Sequence, residues 1–219
     1  MHRKSWRQTL VEICAVATIC ALIFVPLYWK FQEARSAAKR VTCKAYIFQL
    51  GTYLLDYERT HGHFPPPVIS GDDGRVMHSW RTEALRSPTD HFVRGYDFTQ
   101  PWDSPKNLKF ARENVPNFVQ CPEVKQAATT NYLLVIGTGC FYSSTDDEPT
   151  MSQLEGGSAR IPLLVESADS DILWTEPRDL EGACSADVHS LTGVSSVHEE
   201  GAVVLYLDPT NGDLVLGQH

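Results

Sequence analysis

The chain has 219 residues, 42% of them hydrophobic, which is enough for one folded domain of ordinary size. Its formal net charge of −8 is uneven: residues 1–40 hold 7 of the 19 Lys and Arg and 2 of the 27 Asp and Glu, so residues 41–219 carry a net charge of −13. Such an acidic segment argues against nucleic acid as a ligand, because nucleic acid requires a cationic face.

The first predicted element is a transmembrane helix at residues 9–29, which follows a short basic leader at residues 1–8. Residues 13–29 contain no charged side chain, and about 17 to 25 such residues cross a bilayer as a helix. No small-x-small cleavage site follows, and Trp29 and Lys30 are typical of a membrane interface. We therefore expect a retained anchor rather than a cleaved signal peptide.

A glutamate stands at the start of this apolar segment. Glu12 can be interpreted as a carboxylate at the lipid headgroups, or in the first helical turn, where the helix dipole favours an anion. However, residues 9–12 read TLVE before the apolar run, which resembles the N-terminus of type IV pilins and type II secretion pseudopilins. Arg7 and Gln8 replace the glycine and phenylalanine of that family. The resemblance implies that Glu12 pairs with the N-terminal amine of a neighbouring pilin-like subunit.

A second helical segment is predicted at residues 30–61, continuous with the anchor except for a kink at Pro26. Its apolar residues recur at gaps of three and four and form one stripe. They are Tyr46, Ile47, Leu50, Tyr53, Leu54 and Tyr57. Gly62 and the prolines at residues 65–67 end the helix. We expect this segment to pack on an extracytoplasmic domain formed by residues 62–219.

The remaining elements are loops followed by short strands. Residues 68–125 are rich in Pro, Asp, Asn and Ser, which predicts long ordered loops with short helices. Aliphatic runs bounded by Gly, Pro and Asp predict strands at residues 132–136, 161–165, 172–174, 203–207 and 214–216. The last two are joined by a turn whose Asn-Gly pair favours a hairpin. The predicted fold is α+β: a long N-terminal helix, membrane-spanning in its first half, packed on a small antiparallel β-sheet with long loops, as in pilins.

The six cysteines divide into two groups. Cys14 and Cys20 fall in the membrane segment and are interpreted as packing residues. The other four are Cys43, Cys121, Cys140 and Cys184. They allow zero, one or two disulfides, with three connectivities if all pair. Because none forms a Cys-x-x-Cys motif, their spacing argues against a zinc ribbon or a thioredoxin-like site. Disulfides would agree with an oxidising compartment outside the cytoplasm.

Several short motifs follow one another along the chain. HSWR stands at residues 78–81, PWDSP at residues 101–105 and WTEP at residues 174–177, and nine residues separate His198 from Asp208. These blocks resemble a large bacterial family of pseudopilin-like proteins with an uncharacterised domain and a C-terminal signature of His, nine residues and Asp-Gly, although a proline replaces the signature glycine here. The matching positions include His78, Trp80, Pro101, Trp102, Asp103, Glu166, Trp174, His198 and Asp208. That family has no established reaction, so the resemblance implies fold and placement without a catalytic residue.

No catalytic, cofactor-binding or metal-binding residue is assigned from the sequence. Ala202 follows His198 by four residues, so the two-histidine clamp of a metalloprotease helix is absent, and we expect His198 to be buried and hydrogen-bonded. Asp208, Asn211 and Asp213 form an oxygen-rich loop. The spacing of these residues is not that of an EF-hand. The loop is therefore either a calcium site of another kind or a plain hairpin turn.

The resemblance implies a single-pass protein of the bacterial inner membrane, with the N-terminus in the cytoplasm and the C-terminal domain outside it. The expected role is a non-enzymatic, pseudopilin-like structural or accessory subunit of a type II secretion or type IV pilus-like system. It would contact membrane lipid and other pilin-like subunits, and not nucleic acid. The alternative is a membrane-tethered receptor that binds a glycan or a protein through the loops of residues 68–125. Trp80, Trp102 and Trp174 could form a sugar-binding platform, or they could be anchors buried in the core.

Overall fold

The chain folds into one long helix, two short helices and seven strands among the described residues. The computed structural model describes residues 6–86, 91–124, 128–154, 159–184 and 191–218. The helices are α1 (Trp6–His61), α2 (Trp80–Ala84) and α3 (Pro105–Glu113), and single 3-10 turns lie at Asn117–Val119 and Met151–Leu154. The strands are β1 (Val68–Ser70), β2 (Val76–Ser79), β3 (Tyr132–Ile136), β4 (Ile161–Glu166), β5 (Leu180–Glu181), β6 (Val203–Leu207) and β7 (Leu214–Gln218). The predicted α+β class is confirmed.

Two compact units divide the chain, and their boundary falls within α1, after Arg40. In the first unit the large apolar side chains of α1 are exposed. They are Leu10, Val11, Ile13, Val16, Ile19, Leu22, Ile23, Phe24, Val25, Leu27, Tyr28, Trp29 and Phe31. By length and composition α1 could span a membrane as a single-pass anchor. Of the predicted leader, residues 1–5 lie outside the described residues, and α1 has already begun at Trp6.

In the second unit, residues 41–61 of α1 pack on the sheet. Ile47, Leu50 and Leu54 from the predicted apolar stripe are fully buried in the main core. Gly51 allows a close approach, because a Cβ atom there would overlap the side chain of Leu205 in β6. The helix ends at His61, and the next residue is a glycine with φ 82°, a backbone conformation that glycine adopts without a steric penalty. The predicted helix end is confirmed.

The main sheet has the strand order β5-β3-β4-β6-β7. All its pairs are antiparallel except that of β5 with β3, so the sheet is mixed. β3 is buried along its whole length, and its alternate residues face opposite sides. Tyr132 and Leu134 belong to the core that contains α1, whereas Leu133 and Val135 belong to a smaller cluster with Leu191. The sheet is therefore covered on both faces around β3.

The structure differs from the predicted elements in four places. Strand β5 (Leu180–Glu181) lies where no strand was predicted. Residues 172–174 form no strand. They make one isolated bridge through Leu173 and enter a turn in which the Glu176 N–H donates to the Leu173 carbonyl at 2.8 Å. Strands β1 and β2 form an antiparallel hairpin where loops were expected. The last strand continues to Gln218 and does not end at residue 216.

Candidate functional site

Four buried side chains from distant parts of the sequence meet in the second unit. Cys43 lies on α1, Cys121 follows the 3-10 turn at residues 117–119, Glu166 ends β4, and His198 lies in the loop before β6. One sulfur, nitrogen or oxygen atom from each of the four lies within 4.8 Å of the others. Their exposed fractions are 0%, 1%, 0% and 7%. We refer to these residues as the four-residue cluster. The sequence analysis named each of them but did not group them.

The two thiols and the imidazole of the cluster are in direct contact. Cys43 Sγ lies 2.7 Å from Cys121 Sγ, and His198 Nε2 lies 3.2 Å from Cys43 Sγ and 3.4 Å from Cys121 Sγ. The distance between the sulfurs exceeds the about 2.05 Å of a disulfide bond, and both cysteines are free thiols. The hydrogen bond from the Cys43 thiol lowers the pKa of Cys121 below its ordinary value and raises that of Cys43, so a thiolate is favoured at Cys121 over Cys43.

Two carboxylates flank the imidazole. His198 Nδ1 lies 3.4 Å from Glu123 Oε2, and Nε2 lies 3.9 Å from Glu166 Oε1. The Glu166 carboxylate is held through its other oxygen, Oε2, which accepts hydrogen bonds from the Val203 N–H at 3.0 Å and the Ser196 hydroxyl at 3.1 Å. Oε1 is buried and has no hydrogen-bond donor among the residues that the structure describes. One carboxylate oxygen therefore faces the cluster without a partner.

Buried hydrogen bonds fix the backbone around the two cysteines. The Cys121 N–H donates to Asn131 Oδ1 at 3.0 Å, and the Asn131 amide donates in turn to the carbonyl of Ser167 at 3.1 Å. The Tyr132 hydroxyl donates to the Cys43 carbonyl at 3.3 Å. Because Asn131 and Tyr132 are fully buried at the start of β3, the sheet itself sets the positions of both thiols.

His78, from the HSWR motif, lies away from the cluster and has a different environment. Its Nε2 donates to the carbonyl of Phe98 at 3.0 Å, and its Nδ1 accepts from the Tyr96 hydroxyl at 3.1 Å. Both bonds are satisfied by the neutral ring protonated at Nε2. Burial lowers the pKa of His78, which favours the same neutral form. This histidine therefore joins β2 to the loop that carries Tyr96 and Phe98.

The next two residues of the HSWR motif contact a buried aspartate that follows WTEP. Asp179 accepts hydrogen bonds from the Leu134 N–H at 2.8 Å and from Trp80 Nε1–H at 3.0 Å, and it forms an ion pair with Arg81. The side chains of Arg81 and Asp179 are 0% and 1% exposed. Burial raises the pKa of Asp179 to about 6 and lowers the pKa of Arg81. The motif thus ties α2 to β3 through one carboxylate.

The PWDSP motif forms the start of α3. Pro101 is buried, Trp102 is half-buried and Asp103 is exposed. The Ser104 side chain caps the helix and Pro105 is its first residue. Serine satisfies an otherwise unpaired N–H group at a helix start, and proline there loses no hydrogen bond. The motif therefore has a structural explanation.

The tryptophans that could have formed a sugar-binding platform are largely in the core. Trp80 and Trp174 are fully buried, and Trp174 Nε1–H donates to the carbonyl of Ala111 at 2.9 Å. Of the three candidate platform residues, Trp80, Trp102 and Trp174, only Trp102 is partly exposed. Trp80 and Trp174 therefore present no ring face to a glycan.

The loop between β6 and β7 is a hairpin turn, as its Asn-Gly pair predicted. Asp208 Oδ1 accepts hydrogen bonds from the N–H and the hydroxyl of Thr210. The Asn211 amide donates to Asp213 Oδ2 at 2.6 Å. The side-chain oxygens considered as calcium ligands thus accept hydrogen bonds within the turn. The signature residues His198 and Asp208 have different surroundings, since Asp208 lies in the turn and His198 in the cluster.

One disulfide is present among the four cysteines of the second unit. It joins Cys140, after β3, to Cys184, after β5. This is one of the pairings that the sequence left open, and it leaves Cys43 and Cys121 for the cluster. Cys14 and Cys20 are free and exposed on α1.

Comparison with known proteins gives a family without a described activity. No curated protein and no solved structure matches the chain. A family model described as "Protein of unknown function (DUF1559)" matches residues 32–171. The match covers well over half of the chain and includes three members of the four-residue cluster, Cys43, Cys121 and Glu166. The chain therefore belongs to the family of proteins of unknown function described as DUF1559.

Proposed function

We propose that the protein is a membrane-anchored, pseudopilin-like structural or accessory subunit of a type II secretion or type IV pilus-like system. The observation that carries this proposal is the change in burial along α1. Its apolar side chains between residues 10 and 31 are exposed, whereas those at residues 47, 50 and 54 are fully buried in the domain core. Exposed apolar side chains in this number require lipid or neighbouring helices to cover them.

Glu12 supports assembly with other subunits rather than simple tethering. It is exposed on α1, among the first apolar residues of the anchor. An ionised carboxylate at this depth is costly in lipid unless a cation compensates it. The resemblance to pilins implies that Glu12 contacts the N-terminal amine of an adjacent anchor, which carries such a charge.

The proposed placement is the bacterial inner membrane, with the N-terminus in the cytoplasm and residues 62–219 outside it. The net charge of −13 on residues 41–219 favours partners other than nucleic acid. We assign no reaction to the protein, because the four-residue cluster is buried and suits a structural role better than turnover of a substrate.

Substitution of Glu12 in the native host tests the proposal. The Glu12→Ala variant should remain in the membrane fraction but lose co-purification with pilin-like subunits of the same cell. Glu33→Ala is the matched control, because Glu33 is an exposed glutamate of the same unit whose contact, with Lys30 at 2.8 Å, lies within its own helix. Unchanged co-purification of Glu12→Ala, or recovery of the wild-type protein in the soluble fraction, would contradict the proposal.

Cross-linking provides a second measurement of anchor packing. Cys14 and Cys20 are free and exposed on α1, so a membrane-permeant oxidant should join neighbouring anchors that lie side by side. We expect a dimer on non-reducing gels for the wild type and none for the Cys14→Ser, Cys20→Ser double variant. Loss of the wild-type dimer in the Glu12→Ala background would link the carboxylate directly to helix packing.

A further inference from the structure

We propose that Cys43, Cys121, Glu166 and His198 bind one zinc ion that stabilises the extracytoplasmic domain. This inference is independent of the role of the anchor, because all four residues lie in the second unit. It begins from the donor set. Two thiols, one imidazole and one carboxylate are ligands that zinc binds in proteins, and four such ligands form a closed tetrahedral site.

The distances within the cluster suit this geometry. Zinc bonds of about 2.3 Å to sulfur and about 2.0 Å to nitrogen or oxygen place tetrahedral ligand atoms roughly 3.3–3.8 Å apart. His198 Nε2 lies 3.2 and 3.4 Å from the two sulfurs and 3.9 Å from Glu166 Oε1. To bind zinc, the sulfurs, 2.7 Å apart, must separate by roughly 1 Å, and Glu166 Oε1 must approach His198 Nε2 by roughly 0.6 Å.

The unpartnered oxygen of Glu166 is a second and independent observation. A fully buried carboxylate needs hydrogen bonds or a cation to offset its desolvation. Glu166 Oε2 has two donors, but Oε1 has none among the described residues, and it lies on the side of His198. Val203 and Ser196 hold the carboxylate in this orientation through Oε2. A metal ion within the cluster would satisfy Oε1.

Glu123 supplies the outer contact that metal-binding histidines commonly have. A histidine ligand usually donates its second ring N–H to a carboxylate, which fixes the tautomer and directs the other nitrogen to the metal. His198 Nδ1 lies 3.4 Å from Glu123 Oε2, while Nε2 faces the two sulfurs. With the proton on Nδ1, the Nε2 lone pair points into the cluster.

Charge and burial favour a structural ion over a catalytic one. Two thiolates and one carboxylate with a neutral imidazole give the same charge as three cysteines and one histidine, a common structural zinc set. All four side chains are buried, and all four coordination positions are filled by protein atoms. A catalytic zinc site keeps one position open for water or substrate.

The first experiment measures metal in the full-length protein. We would purify it in detergent, without chelator, through an affinity tag that does not bind metals. Its zinc content would then be measured by inductively coupled plasma mass spectrometry. We expect one zinc per chain and protection of Cys43 and Cys121 from alkylation. Cobalt substituted for zinc should give the intense visible absorption of a tetrahedral thiolate site.

Variants separate the proposed site from other sources of zinc. Glu166→Gln and His198→Ala should lower the zinc content several-fold, and Glu123→Gln should weaken zinc affinity roughly 10- to 100-fold. The double variant Cys140→Ser, Cys184→Ser is the matched control and should retain the ion, because these cysteines form the separate disulfide.

The wild-type protein alone can overturn the proposal, so the test does not depend on variants that fold poorly. A Cys43–Cys121 disulfide found by peptide mapping, with no zinc bound and no cobalt spectrum after reduction, would refute it. Unchanged zinc content in Glu166→Gln and His198→Ala would also refute it, because the ion would then lie elsewhere.

Discussion

Replacement of Asp179 by alanine tests whether the buried ion pair with Arg81 is a main support of the fold. The carboxylate accepts hydrogen bonds from the Leu134 N–H and Trp80 Nε1–H and pairs with Arg81. Alanine would leave the guanidinium without its anion and two N–H groups without their acceptor. None of these groups can turn to solvent, because Arg81, Leu134 and Trp80 are fully buried.

The expected loss in the free energy of unfolding is about 3–5 kcal/mol, the cost of removing one partner of a buried ion pair. Each unpaired buried N–H group costs about 1–3 kcal/mol by itself, which places the loss towards the upper end of that range. Replacing Asp179 and Arg81 together by leucine should cost less than Asp179→Ala alone, because no charge then remains buried without a partner.

Urea unfolding of the detergent-solubilised chain, followed by tryptophan fluorescence, measures this loss, since Trp80 and Trp174 are fully buried. Asp171→Ala is the matched control. Asp171 pairs with Arg178 at 2.9 Å but its side chain is 81% exposed, so its removal should cost less than about 1 kcal/mol. If Asp179→Ala were no more destabilising than Asp171→Ala, the pair with Arg81 would not be a support of the fold.

Two further measurements test other parts of the structure. Gly51→Ala should lower the melting temperature, because overlap with Leu205 outweighs the roughly 1 kcal/mol that alanine gains over glycine in a helix. Cys140→Ser with Cys184→Ser should cost about 4 kcal/mol by the loop-entropy relation, measured by urea unfolding.

Local patterns were sufficient to predict α1 and four strands of the main sheet. The uncharged run at residues 13–29 and the spacing of Ile47, Leu50 and Leu54 each reflect helical geometry directly. Strands β3, β4, β6 and β7 are short aliphatic runs, and the Gly, Pro and Asp residues on either side indicate where each strand begins and ends.

The errors came from features that the pattern of apolar residues does not specify. Residues 172–174 are apolar because they reach the core, and burial alone does not distinguish a strand from a turn. The turn is fixed by Glu176, whose carboxylate accepts the Leu173 N–H at 3.1 Å. β5 has only two residues and pairs in parallel with β3, so nothing in its own sequence specifies a strand.

The four-residue cluster escaped the sequence analysis for a related reason. Zinc motifs are recognised from closely spaced ligands, whereas 78 residues separate Cys43 from Cys121 and 155 separate Cys43 from His198. A signal was nevertheless present, because Glu166 and His198 are among the residues that carried the family resemblance. Only the folded structure shows that Glu166 and His198 lie beside the two cysteines.

The composition of the cluster argues against a simple disulfide between Cys43 and Cys121. A disulfide needs neither a histidine nor a carboxylate beside it, and it would leave Glu166 Oε1 buried without a partner. The His198 ring does not satisfy this oxygen, because Nε2 lies 3.9 Å from it, beyond hydrogen-bonding distance, and 3.2–3.4 Å from the sulfurs. A divalent cation accounts for both thiols, the imidazole and the unpaired oxygen together. It would also join α1 to the end of β4 and the loop before β6, and so stabilise the packing of residues 41–61 on the sheet.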